Sequence, residues 1–180
     1  RSQQFVTAGL FRRNQSGFQY GLVWDMVNDD LHMENDIHQI RYELSLKSPH
    51  GREIGFWGTG STNTVSILGV NHEAVEQYTL FYRWDFGKSS SGRFWVGATG
   101  DGEGIFGGQF ITPINNRWSV ESVFNYMIPE EDAGVQGVAQ EAWNVGINLV
   151  WHLGRTARKC DRSPFRPMFS VADNGWLIVD

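Results

Sequence analysis

Three carboxylates in this chain are of the residue type that general acid–base catalysis uses. Asp25, Glu43 and Glu121 each lie in a stretch where polar and apolar residues alternate, and two carboxyl groups at a suitable separation can act as acid and base. Arg41, Arg83 and Arg93 lie in alternating stretches of the same kind. Because a guanidinium beside a carboxylate holds it in an ion pair, we expect structural pairs here rather than a catalytic pair.

The other reactive residue types do not form a recognisable site. Ser119 and Ser122 lack the local signature of an activated nucleophile, and Gly100–Gly104 (GDGEG) reads as a hairpin turn rather than a calcium or phosphate loop. Cys160 is the single cysteine, so it has no intrachain disulfide partner. Spacings such as HxH or HExxH are missing among His32, His38, His50, His72 and His152. We expect no enzymatic activity, no cofactor and no metal.

Composition favours a single all-β domain. The 180 residues include 21 Gly, 12 Phe and 8 Trp, and glycine with aromatic residues is typical of β-rich chains. The 15 basic and 20 acidic side chains leave a net charge of −5, which gives no basic surplus for nucleic-acid binding. No run approaches the 18 or so apolar residues of a membrane-spanning helix.

Alternation with a period of two residues predicts the strands that must position these side chains. The clearest example is Ala142–Gly154, with Trp143 and Trp151 near the two ends of one apolar face. Further strands are predicted at Gln4–Arg13, Gly17–Asp25, Gln39–Lys47, Glu53–Gly60, Glu76–Phe86, Arg93–Thr99, Gly104–Thr112 and Arg117–Met127. Mostly short connections predict an antiparallel up-and-down meander of about nine strands that closes into a β-barrel.

The two faces of these strands predict where the barrel lies. Charges of both signs on one face cannot fill a dry core unpaired, and large aromatics on the other are too numerous for exposure to water. We therefore predict an outer-membrane barrel with a polar lumen and a lipid-facing aromatic girdle. The predicted lumen network is Arg41, Glu43, Lys47, Arg83, Asp85, Arg93, Glu121 and His152. The predicted girdle is Trp24, Tyr78, Trp84, Trp118, Tyr126, Trp143 and Trp151.

Connections alternate between short and long, as the two rims of an outer-membrane barrel do. Long loops are predicted at Asn28–Ile37, Ser61–Ala74 and Pro129–Glu141, and they are acidic. The Asp101 connection is short where this alternation expects a long loop. Nine strands would leave the N-terminus on the long-loop rim, whereas bacterial barrels have even strand numbers and periplasmic termini. We expect one or three strands before Arg1.

The C-terminal region differs from the strands. Residues 1–154 are predicted to form the barrel and residues 155–180 a tail that loses the alternation. The tail contains Pro164 and Pro167 and ends in an apolar stretch, Trp176–Val179. It could enter the lumen as a plug, dock on a rim or add a strand.

Several segments together resemble an uncharacterised planctomycete protein family of unknown function. They are QFVTAGLFRR, EIGFWGTG, LFYRWDF, GEGIFGGQF, IPEE, EAWNVGINLVWHLG and PFRPMFSVADNGWLIVD. The resemblance implies a secreted or outer-membrane β-barrel and implies no activity. Family members look longer at the N-terminus, with further strand-like segments.

These patterns favour an outer-membrane, porin-like barrel with a structural or narrow-pore role. Its expected partner is the lipid bilayer, with a second copy or a surface protein at the acidic loops as a further candidate. Two alternatives stay open: a surface scaffold that the barrel anchors, and a soluble ligand-binding barrel with its aromatic residues inside. The facing of the tryptophans distinguishes the last of these.

Overall fold

The fold is described from a computed structural model that covers residues 2–29, 35–67, 70–86, 89–128, 142–153, 157–158, 167–174 and 176–178. These residues form eleven β-strands. They are β1 (Gln3–Arg12), β2 (Gly17–Asp29), β3 (Asn35–Lys47), β4 (Arg52–Ser61), β5 (Thr64–Ile67), β6 (Val70–Glu73), β7 (Gln77–Phe86), β8 (Ser90–Thr99), β9 (Gly104–Pro113), β10 (Trp118–Ile128) and β11 (Ala142–Trp151).

Nine of these strands form one antiparallel sheet. Its order, β1-β2-β3-β4-β7-β8-β9-β10-β11, follows the chain, and every neighbouring pair is antiparallel. This confirms the all-β class and the predicted meander. The sheet curls through 248° into an open half-barrel whose edges are β1 and β11, so the described strands do not close.

Two connections are more regular than the sequence predicted. The segment Asn28–Ile37 was expected to be a loop, but β2 continues to Asp29 and β3 begins at Asn35. The segment Asn28–Ile37 is mostly polar, so the sequence did not show that the alternation continues on the inner face, where Val27 and Ile37 are buried together. The register also places Asn28 opposite Asp36, and their side chains are hydrogen bonded at 2.7 Å.

The predicted long loop at Ser61–Ala74 contains a small hairpin. Strands β5 and β6 pair with each other and are separate from the main sheet. Thr64 Oγ1 donates to Glu73 Oε2 at 2.9 Å across this hairpin. Each of these strands has only four residues, which is too few for alternation to be recognised in the sequence. The segment was therefore predicted to be a loop.

The tight turn between β3 and β4 depends on glycine. Gly51 has φ of 79°, a backbone conformation that side chains with a Cβ rarely adopt. The Gly51 N–H donates to Ser48 O at 3.1 Å, and the Ser48 N–H donates to Arg52 O at 2.7 Å. This turn fixes the register that brings Lys47 opposite Glu53.

The concave face of the sheet contains an aromatic core as well as charges. One buried cluster combines Trp57, Phe81 and Trp95 from the sheet with Trp176 from the C-terminal region. Phe81 and Trp95 lie two residues from Arg83 and Arg93 and therefore share their face. Whether this mixed face lines a polar lumen, as the sequence predicts, stays a prediction.

The convex face is apolar and exposed. Leu80 on β7 and Val96 on β8 oppose each other in register, with 62% and 63% of their surfaces exposed. Trp143 and Ile147 on β11 are exposed to 72% and 75%. In the part of the chain that the structure describes, no helix is long and apolar enough to span a membrane.

Candidate functional site

The candidate site is the concave face, where charged side chains of the sheet meet the C-terminal region. Strand alternation places side chains i and i+2 on the same face, so Gln39, Arg41, Glu43, Ser45 and Lys47 form one inward row on β3. Each has at most 7% of its surface exposed. Polar side chains buried this deeply need partners, and the neighbouring strands supply many of them.

An ion network crosses four neighbouring strands of the sheet, β3, β4, β7 and β8, at the centre of this face. Arg83 on β7 donates to Glu43 Oε1 on β3 at 3.0 Å and to Glu53 Oε1 on β4 at 2.9 Å. Arg93 on β8 contacts Glu43 Oε2 through Nη1 at 2.9 Å. Two guanidinium groups and two carboxylates therefore balance in charge, which lowers the cost of burying them.

Arg93 also lies inside the aromatic cluster. Its guanidinium carbon is 3.8 Å from the Phe81 ring centroid, and the Trp57, Trp95 and Trp176 centroids lie 5.6 to 5.8 Å away. Arginine binds aromatic faces well because its planar charge is weakly hydrated. Among the described residues, its Nε and Nη2 have no hydrogen-bond acceptor.

A second ion pair connects the sheet to the C-terminal region. Arg41 donates to Asp25 through Nε at 2.6 Å and through Nη2 at 3.0 Å. Its Nη2 also donates to the Ser170 carbonyl at 2.8 Å. Thr7 on β1 and Gln39 on β3 donate to the same carboxylate at 2.6 and 3.0 Å. Asp25 is fully buried, and this ring of donors compensates for its lost hydration.

Residues 167–174 and 176–178, which we call the inner segment, lie against the concave face. Arg13 Nη1 donates to the Pro167 carbonyl at 3.1 Å near the rim that carries the short connections, which we call the tight-turn rim. Further along the inner segment, the Ala172 N–H donates to Thr7 Oγ1 at 2.9 Å. Asp173 accepts a hydrogen bond from Asn148 on β11. The inner segment thus contacts both edge strands from within.

The far end of the inner segment completes the core. The Trp176 ring stacks on Trp95 at 5.3 Å and meets Trp57 edge-on at 5.4 Å. Leu177 packs with Val27, Ile37 and Ala74 in the second buried cluster. The Val75 N–H donates to the Ile178 carbonyl at 2.8 Å near the long-loop rim. The division between 1–154 and 155–180 stays a prediction.

A cavity of about 860 Å³ remains between the inner segment and the sheet. Its wall combines charged side chains of both signs, among them Arg41, Arg93 and Glu121, with apolar ones such as Trp57 and Met168. Gln109 Nε2 donates to Ser170 Oγ at 3.3 Å across one side of it. The interior of the half-barrel is therefore partly filled and partly hollow.

The predicted lumen residues occupy several separate groups. Glu43, Arg83 and Arg93 belong to the central network, and Arg41 belongs to the Asp25 pair. Lys47 and Asp85 form a third group, with Nζ and Oδ2 3.5 Å apart. Glu121 and His152 line the cavity on its β10–β11 side, where His152 Nε2 lies 2.8 Å from Ser119 Oγ. Their role as a lumen network stays a prediction.

The predicted girdle residues lie on the convex face. Trp118 opposes Trp151 at the tight-turn end, and Tyr126 opposes Trp143 at the other end of the same two strands. The exposed members are Trp24, Tyr78, Trp118, Trp143 and Trp151, and the half-exposed members are Trp84 and Tyr126. Whether they contact lipid stays a prediction.

Sequence reasoning missed several residues at this site. Glu53 escaped because glycines interrupt the alternation of β4, and Trp57 escaped for the same reason. Trp176 follows no strand pattern, so its position in the core had no periodic signal. Within the described ranges, no group of three or more His, Cys, Asp or Glu side chains could hold a metal ion. Cys160 and the Pro129–Glu141 loop lie outside the described residues.

These features define a class: an antiparallel β-meander curled into an open half-barrel, with an apolar convex face and a charged, aromatic concave face. The chain belongs to the family described as "Family of unknown function (DUF6666)", whose model matches residues 1–179. No curated protein and no solved structure matches it.

Proposed function

We propose that this chain forms the wall of an outer-membrane β-barrel, with a structural or narrow-pore role and no catalytic activity. The observation that carries the proposal is the opposition of the two faces. Large apolar side chains are exposed along the whole convex face, whereas the concave face buries charges in pairs. Such a sheet suits lipid on one side and a polar interior on the other.

The exposed aromatic pairs support the lipid assignment. Trp118 and Trp151 have ring centroids 6.4 Å apart at one end of β10 and β11. Tyr126 and Trp143 oppose each other at the other end. Aromatic side chains at both ends of an apolar band are typical of strands that cross a bilayer. A soluble ligand-binding barrel would need the opposite facing of these tryptophans.

The inner segment supports a narrow path rather than a wide one. It crosses the concave face from Arg13 to Val75 and takes up space that an open channel would need. The cavity of about 860 Å³ beside it is the remaining space through which small ions could pass. We propose that the inner segment limits conduction.

Fluorescence quenching by brominated lipids tests the membrane assignment. The native polypeptide is reconstituted into vesicles with bromine on the acyl chains, and quenching is compared between Trp143→Phe and Trp95→Phe variants. Trp143 is exposed and Trp95 is buried, so Trp143→Phe should remove part of the quenchable emission, and Trp95→Phe should leave the quenchable emission unchanged. A folded protein that stays in detergent-free solution, with no quenching by added vesicles, would contradict the proposal.

Contact with a surface partner at the long-loop rim is a second candidate role. The β5–β6 hairpin favours it, because its strands pair with each other rather than with the main sheet and expose the polar side chains of Thr64, Ser66 and Asn71. Replacement of residues 63–73 by a short Gly-Ser loop should then abolish partner binding while leaving vesicle insertion unchanged. Equal partner binding by both forms would contradict this role.

A further inference from the structure

One edge of the Arg93 guanidinium group has no hydrogen-bond acceptor. Arg93 is 5% exposed, and its Nη1 contacts Glu43 Oε2 at 2.9 Å. The guanidinium carbon lies 3.8 Å from the Phe81 ring centroid. On the other edge, Nε and Nη2 meet no acceptor among the described residues. Burial of a charged donor without an acceptor is costly, so this edge would gain from an oxygen atom placed beside it.

Arg41 shows what the same edge binds within this chain. Its Nε donates to Asp25 Oδ2 at 2.6 Å, and its Nη2 donates to Asp25 Oδ1 at 3.0 Å. Two such N–H groups are parallel, and their spacing matches the two oxygens of one carboxylate. Because a guanidinium group is rigid and planar, Arg93 has an identical pair of donors. In the part of the chain that the structure describes, no carboxylate reaches this edge of Arg93.

Trp57 adds a third donor beside Arg93. Its ring centroid is 5.6 Å from the Arg93 guanidinium carbon, and its Nε1 is buried with no acceptor in the described ranges. Both side chains belong to the wall of the cavity beside the inner segment. An ionised carboxylate accepts hydrogen bonds and donates none. It is therefore the ligand group that suits these three N–H donors best.

The strand register explains why the sheet is hollow beside Arg93. Arg93 on β8 opposes Gln109 on β9, which opposes Val123 on β10, which in turn opposes Gly146 on β11. Val123 is short and Gly146 has no side chain, so this row fills little of the space between the sheet and the inner segment. The resulting volume of about 860 Å³ is in the range of sites that bind small organic molecules.

The rest of the wall limits the kind of carboxylate. It carries acidic side chains as well as arginines, among them Glu121 on β10 and Asp173 in the inner segment. Like charges brought together are unfavourable, so we expect a ligand with a single carboxylate. Trp57, Ile111 and Met168 add apolar surface to the same wall, and burial of an apolar ligand body against them is favourable.

We propose that this cavity binds a small organic monocarboxylate with an apolar body. The carboxylate accepts hydrogen bonds from Arg93 Nε and Nη2, with Trp57 Nε1 as a further donor, and the apolar body occupies the hollow. The site goes beyond the proposed function and does not depend on it. Its donors and its cavity lie on the concave face, whatever the convex face contacts.

Binding of 4-fluorobenzoate to the full chain in maltoside micelles tests the site. This probe is a monocarboxylate with a flat apolar body, and ¹⁹F NMR follows its titration, with protein-free micelles as the blank. We expect a Kd of about 1 mM or tighter. The neutral analogue 4-fluorobenzamide has the same size, but an amide donor replaces one acceptor oxygen. It should bind at least about tenfold more weakly, because that donor would face another donor.

Two substitutions test the donors. Arg93→Lys keeps a positive charge beside Glu43 but removes the two-donor edge, so it should weaken 4-fluorobenzoate binding at least about tenfold. Gln109→Glu places a carboxylate opposite Arg93 on the neighbouring strand, where it would take the place of the ligand and abolish binding. Gln15→Glu makes the same change in the exposed connection between β1 and β2 and should leave the Kd unchanged. Urea unfolding shows whether each variant is folded.

Two results would overturn the site. The first comes from the parent protein and needs no variant: equal affinities for 4-fluorobenzoate and 4-fluorobenzamide, or no binding of either at up to about 10 mM. The second is an unchanged Kd for 4-fluorobenzoate in folded Arg93→Lys and Gln109→Glu proteins. Neither result involves lipid, so failure of this site and failure of the membrane assignment are distinguishable.

Discussion

At the scale of single residues, Glu43 is the common partner of the central network. It accepts hydrogen bonds from Arg83 and an ion-pair contact from Arg93, and its surface is 1% exposed. Removal of one partner from a buried ion pair leaves the other charge uncompensated, which costs far more than the loss of a surface pair.

The substitution Glu43→Gln should lower the free energy of unfolding by about 3–5 kcal/mol, because Arg93 would keep its charge in an aromatic site without a carboxylate. Urea unfolding in detergent micelles measures this change. Asp101→Asn, at an exposed hairpin turn, is the matched control and should change stability by less than about 0.5 kcal/mol. Equal effects of the two substitutions would show that the network contributes little.

Substitution of Leu80 tests whether the convex face contacts lipid at a single position. It lies near the middle of β7 with its side chain outward, whereas Phe86 lies at the end of the same strand. Leu80→Arg should reduce the stability of the inserted protein by about 2–4 kcal/mol, and Phe86→Arg by about 0–1 kcal/mol. Unfolding titrations in vesicles measure both. If both substitutions are neutral, the convex face contacts water.

The residues of the site were predictable to different degrees. Arg41, Glu43, Arg83 and Arg93 share an inner face because alternation is a local property of each strand, and the sequence displays it directly. Partner choice is not local. The carboxylates that Arg83 binds are set by the register in which neighbouring strands pair. That register cannot be read from the spacing of residues within one strand.

At the scale of elements, the inner segment is held by a few strong contacts. Trp176 touches Trp57 and Trp95, so it fills the centre of the concave face. Loss of a buried tryptophan removes a large apolar contact and leaves a cavity. The existing hollow beside it would then enlarge.

Trp176→Ala should increase ion conductance in planar bilayers, because it widens the space beside the inner segment. It should also reduce the free energy of unfolding by about 3–5 kcal/mol. Trp143→Ala, on the exposed face, is the matched control and should leave conductance unchanged. If Trp176→Ala gives a folded protein with the parental conductance, the inner segment does not limit the path.

Arg41 is expected to hold the middle of the inner segment in place. Arg41→Met keeps the aliphatic length of the side chain but removes the donor to the Ser170 carbonyl. Proteinase K should then cleave within residues 167–174 at least about tenfold faster, because local opening becomes less costly. Arg12→Met, at an exposed position, should leave the cleavage rate unchanged. Equal protection in both variants would mean that the other contacts of the inner segment hold it without Arg41.

The strands of the main sheet were predicted well, and the other elements were not. All nine strands of the main sheet lie where the sequence placed them, with ends that differ by a few residues. The extension of β2 to Asp29 and the β5–β6 hairpin were missed. These parts are fixed by tertiary contacts, such as the burial of Val27 against Leu177, rather than by local pattern.

At the scale of the whole molecule, the meander could be predicted because each strand pairs with its neighbour in sequence. Short connections leave few alternative topologies. The degree of closure is a different quantity, since it depends on twist and curl summed over all strands. No individual segment contains that sum, so the 248° of the half-barrel had no signature in the sequence.

The contacts of the inner segment have a consequence for the time course of folding. Hairpins such as β1–β2 join residues that are close in sequence, and they form within microseconds. The bond from Ala172 to Thr7 spans 165 residues, and that from Gln39 to Trp176 spans 137. Contacts of such high order form late. We therefore expect the inner segment to dock after the strands have paired, and its docking to exclude water from the part of the concave face that it covers.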